Sequence, residues 1–115
     1  MSIIIYHNPK CSKSRQTLEL LIDQGIKPTV NEYLKTPPAP EKIKEILRKL
    51  DFEPRDLMRK KETTYTELNL ANPSLTDTAL IQSMVKHPIL IERPIVLANE
   101  KAAIGRPPEQ VLKIL

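Results

Sequence analysis

One stretch of the sequence decides the fold, and it runs from Ile3 to Leu34: IIIYHNPKCSKSRQTLELLIDQGIKPTVNEYL. Its start, residues 3–6, is apolar and mostly β-branched, which predicts a buried strand. The next apolar residues recur at helical spacing, at Leu18, Leu21 and Ile22. Gly25 is placed to end that helix, and residues 28–34 are typical of a second strand. Two strands joined by a helix through short links predict a parallel βαβ unit with a right-handed crossover.

The middle of the chain is predicted to be helical. A proline-rich loop at residues 36–40 leads into a helix, whose apolar face is formed by Ile43, Ile46, Leu47 and Leu50. Thr76 or Asp77 is expected to cap a later helix that stops before Pro88. Residues 36–87 are therefore predicted to be a helical insertion between the first two strands and the rest of the chain.

The last part of the chain is predicted to form a β-hairpin and a helix. Two short apolar segments, 94–98 and 101–104, flank Asn99-Glu100, which suits a tight turn. The final helix is expected to place three apolar residues on its buried face, Val111, Leu112 and Leu115. The order β-α-β, helices, β-β-α is that of an α/β thioredoxin-like fold with a small mixed sheet of about four strands. We therefore expect residues 1–115 to form a single domain.

Composition limits the classes of function. A chain of 115 residues with a net charge of +4 is compatible with small anions and too weakly basic to indicate a nucleic-acid partner. One cysteine excludes an internal disulfide and a cysteine-rich zinc site, and two histidines argue against a histidine metal site. No apolar run approaches the ~20 residues of a membrane span, and the N-terminus lacks a secretory signal. We expect a cytoplasmic monomer with no bound metal, no bound cofactor and no membrane partner.

Cys11 is the residue with the clearest chemical potential. It lies at the predicted start of the first helix, where unpaired backbone N–H groups carry about half a positive charge. Three nearby cations add to it, Lys10, Lys13 and Arg15. Such settings lower the pKa of a cysteine thiol and favour the nucleophilic thiolate, and the same N–H groups, with Ser12 and Ser14, suit an anion. The alternative is a small buried hydrophobe, but the polar neighbours favour a reactive cysteine.

The residues around Cys11 belong to a longer pattern. Tyr6-His7-Asn8-Pro9-x-Cys11-x-x-Ser14-Arg15-x-Thr17-Leu18 resembles the N-terminal signature of the glutaredoxin-coupled, glutathione-dependent arsenate reductases, a family of the thioredoxin-like superfamily. The match continues in the same order along nearly the whole chain, in Tyr33-Leu34-x-Thr36-Pro37-Pro38, Arg55-x-Leu57-Met58-Arg59-Lys60, His87-Pro88-Ile89-Leu90-Ile91-x-Arg93-Pro94-Ile95-Val96 and Gly105-Arg106-Pro107.

The resemblance implies a reaction. Cys11 would attack arsenate and form a covalent cysteine–arsenic adduct. Glutathione, as co-substrate, would then displace oxygen, and glutaredoxin, as partner, would remove the resulting disulfide and release arsenite. Cys11 is the only thiol, and Ser14 stands where a Cys-x-x-Cys motif has its second cysteine. The resolving thiol must therefore come from another molecule.

The resemblance also implies which residues hold the substrate. Three arginines of the family pattern would clamp the oxyanion: Arg59, Arg93 and Arg106. Arginine suits this role because its planar fork donates two parallel hydrogen bonds, although a solvated surface arginine is the ordinary alternative. Ser14 and Arg15 are further oxyanion-binding candidates. His7 is a candidate activator that would favour the thiolate as an imidazolium, and Pro94 matches the cis-proline beside the active cysteine of thioredoxin-like folds.

Two other functions stay open. Some relatives of this fold are transcription regulators that bind RNA polymerase, and some of those carry a Cys-x-x-Cys redox switch, which Ser14 removes here. The other is a glutathione-dependent thiol reductase, because the sequence does not separate arsenate from a related oxyanion or a protein mixed disulfide. An assay of arsenate turnover with glutathione and glutaredoxin distinguishes these functions.

Overall fold

The computed structural model describes residues 2–115, which divide into two compact units. The sheet unit contains the chain up to Thr36 together with Arg93–Leu115, and the helical unit is Pro37–Glu92. The helical unit overlaps the predicted insertion at 36–87, and the assignment of a single domain stays a prediction. Among the described residues, no helix is both long enough and apolar enough to cross a membrane.

Four short strands form the sheet, in the order β2-β1-β3-β4: β1 (Ile4–Tyr6), β2 (Thr29–Asn31), β3 (Ile95–Ala98) and β4 (Lys101–Ile104). β1 pairs with β2 in parallel and with β3 antiparallel. β3 and β4 form the predicted hairpin, whose two turn residues, Asn99 and Glu100, both have positive φ. The expected mixed α/β architecture is confirmed. β2 is shorter than the predicted 28–34, because the chain turns at Glu32, whose carbonyl accepts from the N–H of Thr36.

Helix α1 (Ser12–Asp23) connects β1 to β2 and ends as predicted. Gly25 follows the last helical turn with a φ of 79°, and its N–H donates to Ile22 O while the N–H of Ile26 donates to Leu21 O. This pair of bonds is the Schellman motif, which favours glycine at the left-handed position. The expected apolar face is only partly correct, because Ile22 is 56% exposed and the buried residues of α1 are Ser14, Thr17 and Leu21.

The core of the sheet unit lies where α1 and the C-terminal 3₁₀ helix (Pro108–Ile114) pack with β1 and β3, and it contains Ile5, Leu21, Val96, Ala98, Val111 and Ile114. The predicted buried face of the last helix was wrong for two of its three residues, since Leu112 is 40% and Leu115 39% exposed. A 3₁₀ helix has three residues per turn. Its buried face therefore repeats every third residue, at Pro108, Val111 and Ile114.

The helical unit contains α2 (Pro40–Leu50), α3 (Thr63–Glu67) and α4 (Asp77–Lys86), with short 3₁₀ helices at Pro54–Leu57 and Pro88–Leu90. The hydroxyl of Thr76 caps α4 by accepting from the N–H of Ala79, which decides between the two predicted caps. α2 ends at Asp51, which has a left-handed φ of 58°. The residues that follow the two 3₁₀ helices, Met58 and Ile91, are extended and pair with each other in an isolated antiparallel bridge.

Candidate active site

Cys11 is the N-cap of α1, as the sequence predicts. Its φ of −96° and ψ of 123° are extended, and its carbonyl accepts the first helical hydrogen bond, from the N–H of Arg15 at 3.0 Å. Its own N–H donates to Asn8 O at 3.0 Å, which closes a turn over Pro9 and Lys10. The side chain is 8% exposed. The loop therefore holds the sulfur at the start of the helix, largely shielded from solvent.

The Arg106 side chain contacts the sulfur of Cys11. Its Nη2 donates to Cys11 Sγ at 3.7 Å, and its Nε donates to Arg93 O at 2.9 Å. At this distance the guanidinium interacts favourably with negative charge that develops at the sulfur during a reaction. The sequence predicts this stabilisation from the N–H groups of α1 and from nearby cations, Lys10, Lys13 and Arg15. The Cys11 side chain accepts no capping hydrogen bond from those N–H groups.

His7 and Ser14 form a buried pair beside this loop. His7 Nδ1 and Ser14 Oγ are 2.6 Å apart, and the backbone N–H of Asn8 donates to the same hydroxyl oxygen at 3.0 Å. Ser14 is 0% and His7 6% exposed. In this structure the Ser14 hydroxyl is enclosed and connects the end of β1 to α1, and its role in oxyanion binding stays a prediction.

The imidazolium role predicted for His7 is disfavoured. Burial lowers the pKa of His7, the charge of Arg15 lowers it further, and the carboxylate of Glu32 acts in the opposite direction. The neutral imidazole is therefore favoured at pH 7, and it supplies no positive charge to the sulfur. Its contribution is the hydrogen bond to Ser14, which fixes the position of the first turn of α1.

Arg15 braces the cysteine loop from outside. Its Nη1 donates to Pro9 O at 2.8 Å, and the N–H of Lys10 donates to Asn8 Oδ1 at 3.0 Å. Arg15 is exposed and Asn8 is half-buried. Arg15 therefore has a structural contact within the loop, and its predicted role in oxyanion binding stays a prediction.

Two further predicted site residues, Arg93 and Pro94, lie in the second segment of the sheet unit, just before β3. The Arg93–Pro94 peptide bond is cis, in agreement with the candidate cis-proline, and the Arg106–Pro107 bond is also cis. Gly105, which the sequence argument did not single out, donates from its N–H to Pro94 O at 2.9 Å. Pro94 is buried and Arg93 half-buried, whereas the Arg106 side chain is exposed.

Arg59 belongs to the helical unit and is already engaged in ion pairs there. Its Nη1 lies 3.0 Å from Glu62 Oε1 and its Nε lies 3.8 Å from Glu92 Oε1. The backbone N–H of Arg59 donates to Leu90 O at 2.7 Å, so the residue lies on an extended segment rather than on a helix. Of the predicted arginine trio, the sheet unit brings Arg93 and Arg106 together, and the role of Arg59 in the clamp stays a prediction.

Sequence reasoning missed the small residues that hold this site together. Asn8 supplies both a carbonyl and a side-chain acceptor to the cysteine loop, and Thr17 lies fully buried on α1 with its hydroxyl directed to Lys13 O at 2.8 Å. The only available signal was that Asn8, Thr17 and Gly105 fall inside the quoted motifs. Their residue types alone are ordinary for a loop, a helix and a turn.

Comparison with known proteins agrees with this geometry. Residues 6–114 match the ArsC family. The chain is 57% identical over 112 residues to the uncharacterized protein YfgD of Escherichia coli strain K12, covering 96% of this chain and 94% of that protein. It is 50% identical to an arsenate reductase of Neisseria meningitidis serogroup B, covering 98% and 97% of the two chains.

A solved structure shares the fold throughout. The arsenate reductase from Vibrio cholerae superposes with a TM-score of 0.97 at 57% identity, covering 100% of this chain and 98% of that one. The expected thioredoxin-like architecture is thereby confirmed, since the solved neighbours are arsenate reductases of that fold. The family match covers nearly the whole length, and the relatives match over nearly their whole length as well. The chain therefore belongs to the ArsC family.

Proposed function

We propose that this chain is an arsenate reductase whose nucleophile is Cys11. The observation that carries the proposal is the guanidinium of Arg106, 3.7 Å from the sulfur and on an exposed side chain. One cation can then serve two purposes: it stabilises the thiolate before attack, and it donates to the oxygens of a tetrahedral anion during attack. The names of relatives such as the Neisseria meningitidis protein support arsenate as that anion.

In the proposed reaction the thiolate attacks arsenic(V), and one oxygen leaves as water after taking up protons. A second thiol then completes a two-electron transfer. In sum, one arsenate and two thiols give one arsenite, one disulfide and one water. Arg106, with Arg93 and Arg59 as further candidates, would neutralise charge on the arsenate oxygens. The buried pair His7–Ser14 would keep the loop rigid, so that little reorganisation accompanies attack.

The second thiol is proposed to be glutathione, and glutaredoxin is proposed to regenerate the enzyme. Cys11 is the single cysteine of the sequence, so the disulfide cannot close within the chain. Glutaredoxin would attack the glutathione sulfur by thiol–disulfide exchange and free the Cys11 thiolate. This scheme needs a reduced glutathione pool, which supports a cytoplasmic location.

The test is multiple-turnover arsenite formation with the purified protein. We expect turnover with glutathione and glutaredoxin together, and strongly reduced turnover when either is left out. Multiple turnover with thioredoxin as the sole reductant would contradict the glutathione scheme, because thioredoxin would then resolve the adduct directly. No arsenite formation under any of these conditions, with a folded protein and a reactive Cys11, would contradict arsenate as substrate and favour a thiol reductase of another substrate.

A further inference from the structure

The two glycines of the chain meet different structural requirements, one of backbone conformation and one of space. At Gly25 the φ of 79° requires glycine, and an added Cβ would meet no atom within 4 Å. At Gly105 the space requires it, because an added Cβ would overlap Thr17 Oγ1 and lie 2.9 Å from Pro94 Cγ. Gly105 therefore permits a close approach between the backbone before Arg106 and the side of helix α1.

This close approach is connected to the sulfur along two routes. Through the backbone, the N–H of Arg106 donates to Ile104 O at 2.9 Å, a γ-turn centred on Gly105 that directs the next residue. Through the helix, Thr17 lies on the same rigid element that Cys11 caps. Thr17 Oγ1 donates to Lys13 O at 2.8 Å and lies 3.5 Å from Gly105 O. The Thr17–Gly105 contact thus joins the element that carries the nucleophile to the turn that carries the cation.

We propose that Thr17 and Gly105 are positioning residues that set the separation between the Arg106 guanidinium and the Cys11 sulfur. The contact is buried on both sides, with Thr17 at 0% exposure. In this proposal each residue acts through Arg106, whose guanidinium contacts the sulfur. The positioning role itself follows from these contacts. Only its purpose, which is to hold an oxyanion between Arg106 and the Cys11 sulfur, rests on the proposed function.

The test compares the alkylation of Cys11 by iodoacetate, which is anionic, with that by iodoacetamide, which is neutral. The ratio of the two rates reports a cation beside the sulfur and cancels the general reactivity of the thiol. Arg106→Ala defines the ratio without that cation. Gly105→Ala adds a methyl group that overlaps Thr17, and Thr17→Ala leaves the contact unfilled. We therefore expect each variant to lower the ratio by about two- to five-fold, the range for a weak charge pair. The double variant places a new methyl where the threonine side chain was, so its ratio should exceed that of either single variant.

Gly25→Ala is the matched control. It imposes strain on a left-handed residue and destabilises the fold without filling any contact, so it should leave the ratio unchanged. The proposal is overturned if folded Thr17→Ala keeps the wild-type ratio, or if Gly25→Ala lowers the ratio as much as Gly105→Ala does. Thr17→Ala keeps the test decisive even if Gly105→Ala does not fold, because alanine is a good helix former.

The same variants distinguish the two proposals. If the wild-type protein turned over no arsenate while the ratio responded as described, the proposed function would fail and the positioning role would stand. If arsenate turned over and the ratio did not respond to Thr17→Ala, the positioning role would fail alone. Where both stand, Gly105→Ala should raise the KM for arsenate together with the loss of anionic selectivity, and the double variant should restore both in part.

Discussion

The sheet unit and the helical unit bury different kinds of side chain. In the sheet unit three polar side chains are buried, His7, Ser14 and Thr17, all between the end of β1 and the middle of α1. In the helical unit, Pro37–Glu92, the buried side chains are aliphatic, aromatic, methionine or proline. A buried polar group costs free energy unless it is hydrogen-bonded. The three buried polar side chains of the sheet unit meet that condition, because each is hydrogen-bonded. The sheet unit therefore holds a satisfied polar network around Cys11, the proposed nucleophile, whereas the buried side chains described in the helical unit form an apolar core.

Replacement of Cys11 by serine should have the largest effect. A hydroxyl is a poor nucleophile at neutral pH and cannot form the proposed mixed disulfide, so arsenite formation should fall to background. The thermal unfolding temperature should change little, because serine is close in volume. Parallel measurement of turnover and of unfolding checks both. If Cys11→Ser still formed arsenite, Cys11 would not be the nucleophile, and the proposed site in the sheet unit would be wrong.

A core truncation in the helical unit should produce the opposite signature. Leu80 is 1% exposed on α4, and Leu80→Ala should lower the free energy of unfolding by about 2–5 kcal/mol. The iodoacetate-to-iodoacetamide ratio at Cys11 should stay at its wild-type value while the protein is folded. Leu68→Ala, at a residue 42% exposed, is the control and should change the unfolding free energy little. A changed ratio in folded Leu80→Ala would contradict the claim that the core of the helical unit affects stability and not the environment of Cys11.

Removal of Arg106 should weaken the reaction without weakening the fold. Each charge-assisted hydrogen bond is worth roughly 1.5–3 kcal/mol, so Arg106→Ala should lower kcat/KM for arsenate by roughly 10- to 150-fold. Arg106→Lys should restore only part, since lysine lacks the bidentate fork. Arg48→Ala, at an exposed arginine of α2, is the control. If the lysine variant equalled the wild type, charge alone would explain the role of Arg106.

The smallest predicted effect concerns His7 and pH. Burial lowers the pKa of His7 below its ordinary 6.5, so the unfolded chain takes up a proton before the folded one does. Neutral His7 therefore makes its full contribution to the free energy of unfolding above about pH 6.5. As the pH falls from there toward the lowered pKa of His7, the free energy of unfolding decreases by at most about 1.4 kcal/mol per pH unit. Urea unfolding at a series of pH values measures it. His7→Asn should flatten the slope in this window and His87→Asn, at an exposed residue, should not; equal slopes in all three proteins would contradict the burial argument.

Local patterns predicted most of the fold. The β-branched run, the helical spacing after Cys11, the glycine at the end of α1 and the turn at Asn99 all produce structure within a few residues of themselves. The errors have different causes. The end of β2 was misplaced by a local turn at Glu32, whereas the C-terminal segment is a 3₁₀ helix, in which the buried face contains Ile114 and not Leu112 or Leu115. Apolar residues counted at α-helical spacing do not predict which face of a 3₁₀ helix is buried.

The sequence predicted that Cys11 and Arg106 belong to one site, and the structure brings them into contact, but the sequence did not predict the residues that support them. Cys11, Arg106 and the cis bond at Pro94 follow from helix position and from motif resemblance. The enclosure of Ser14 and the lowered pKa of His7 do not, because both depend on burial that only the folded chain creates. The space that excludes a side chain at Gly105 depends on a contact with Thr17, far away in sequence.

The most direct test of the central claim is the intact mass of the protein after incubation with arsenate and glutathione, without glutaredoxin. The account predicts one glutathione attached at Cys11, formed together with one arsenite, present only when arsenate is added, absent in Cys11→Ser and removed by glutaredoxin. Arsenite formation without any glutathione on Cys11, or the same adduct in the absence of arsenate, would contradict the account.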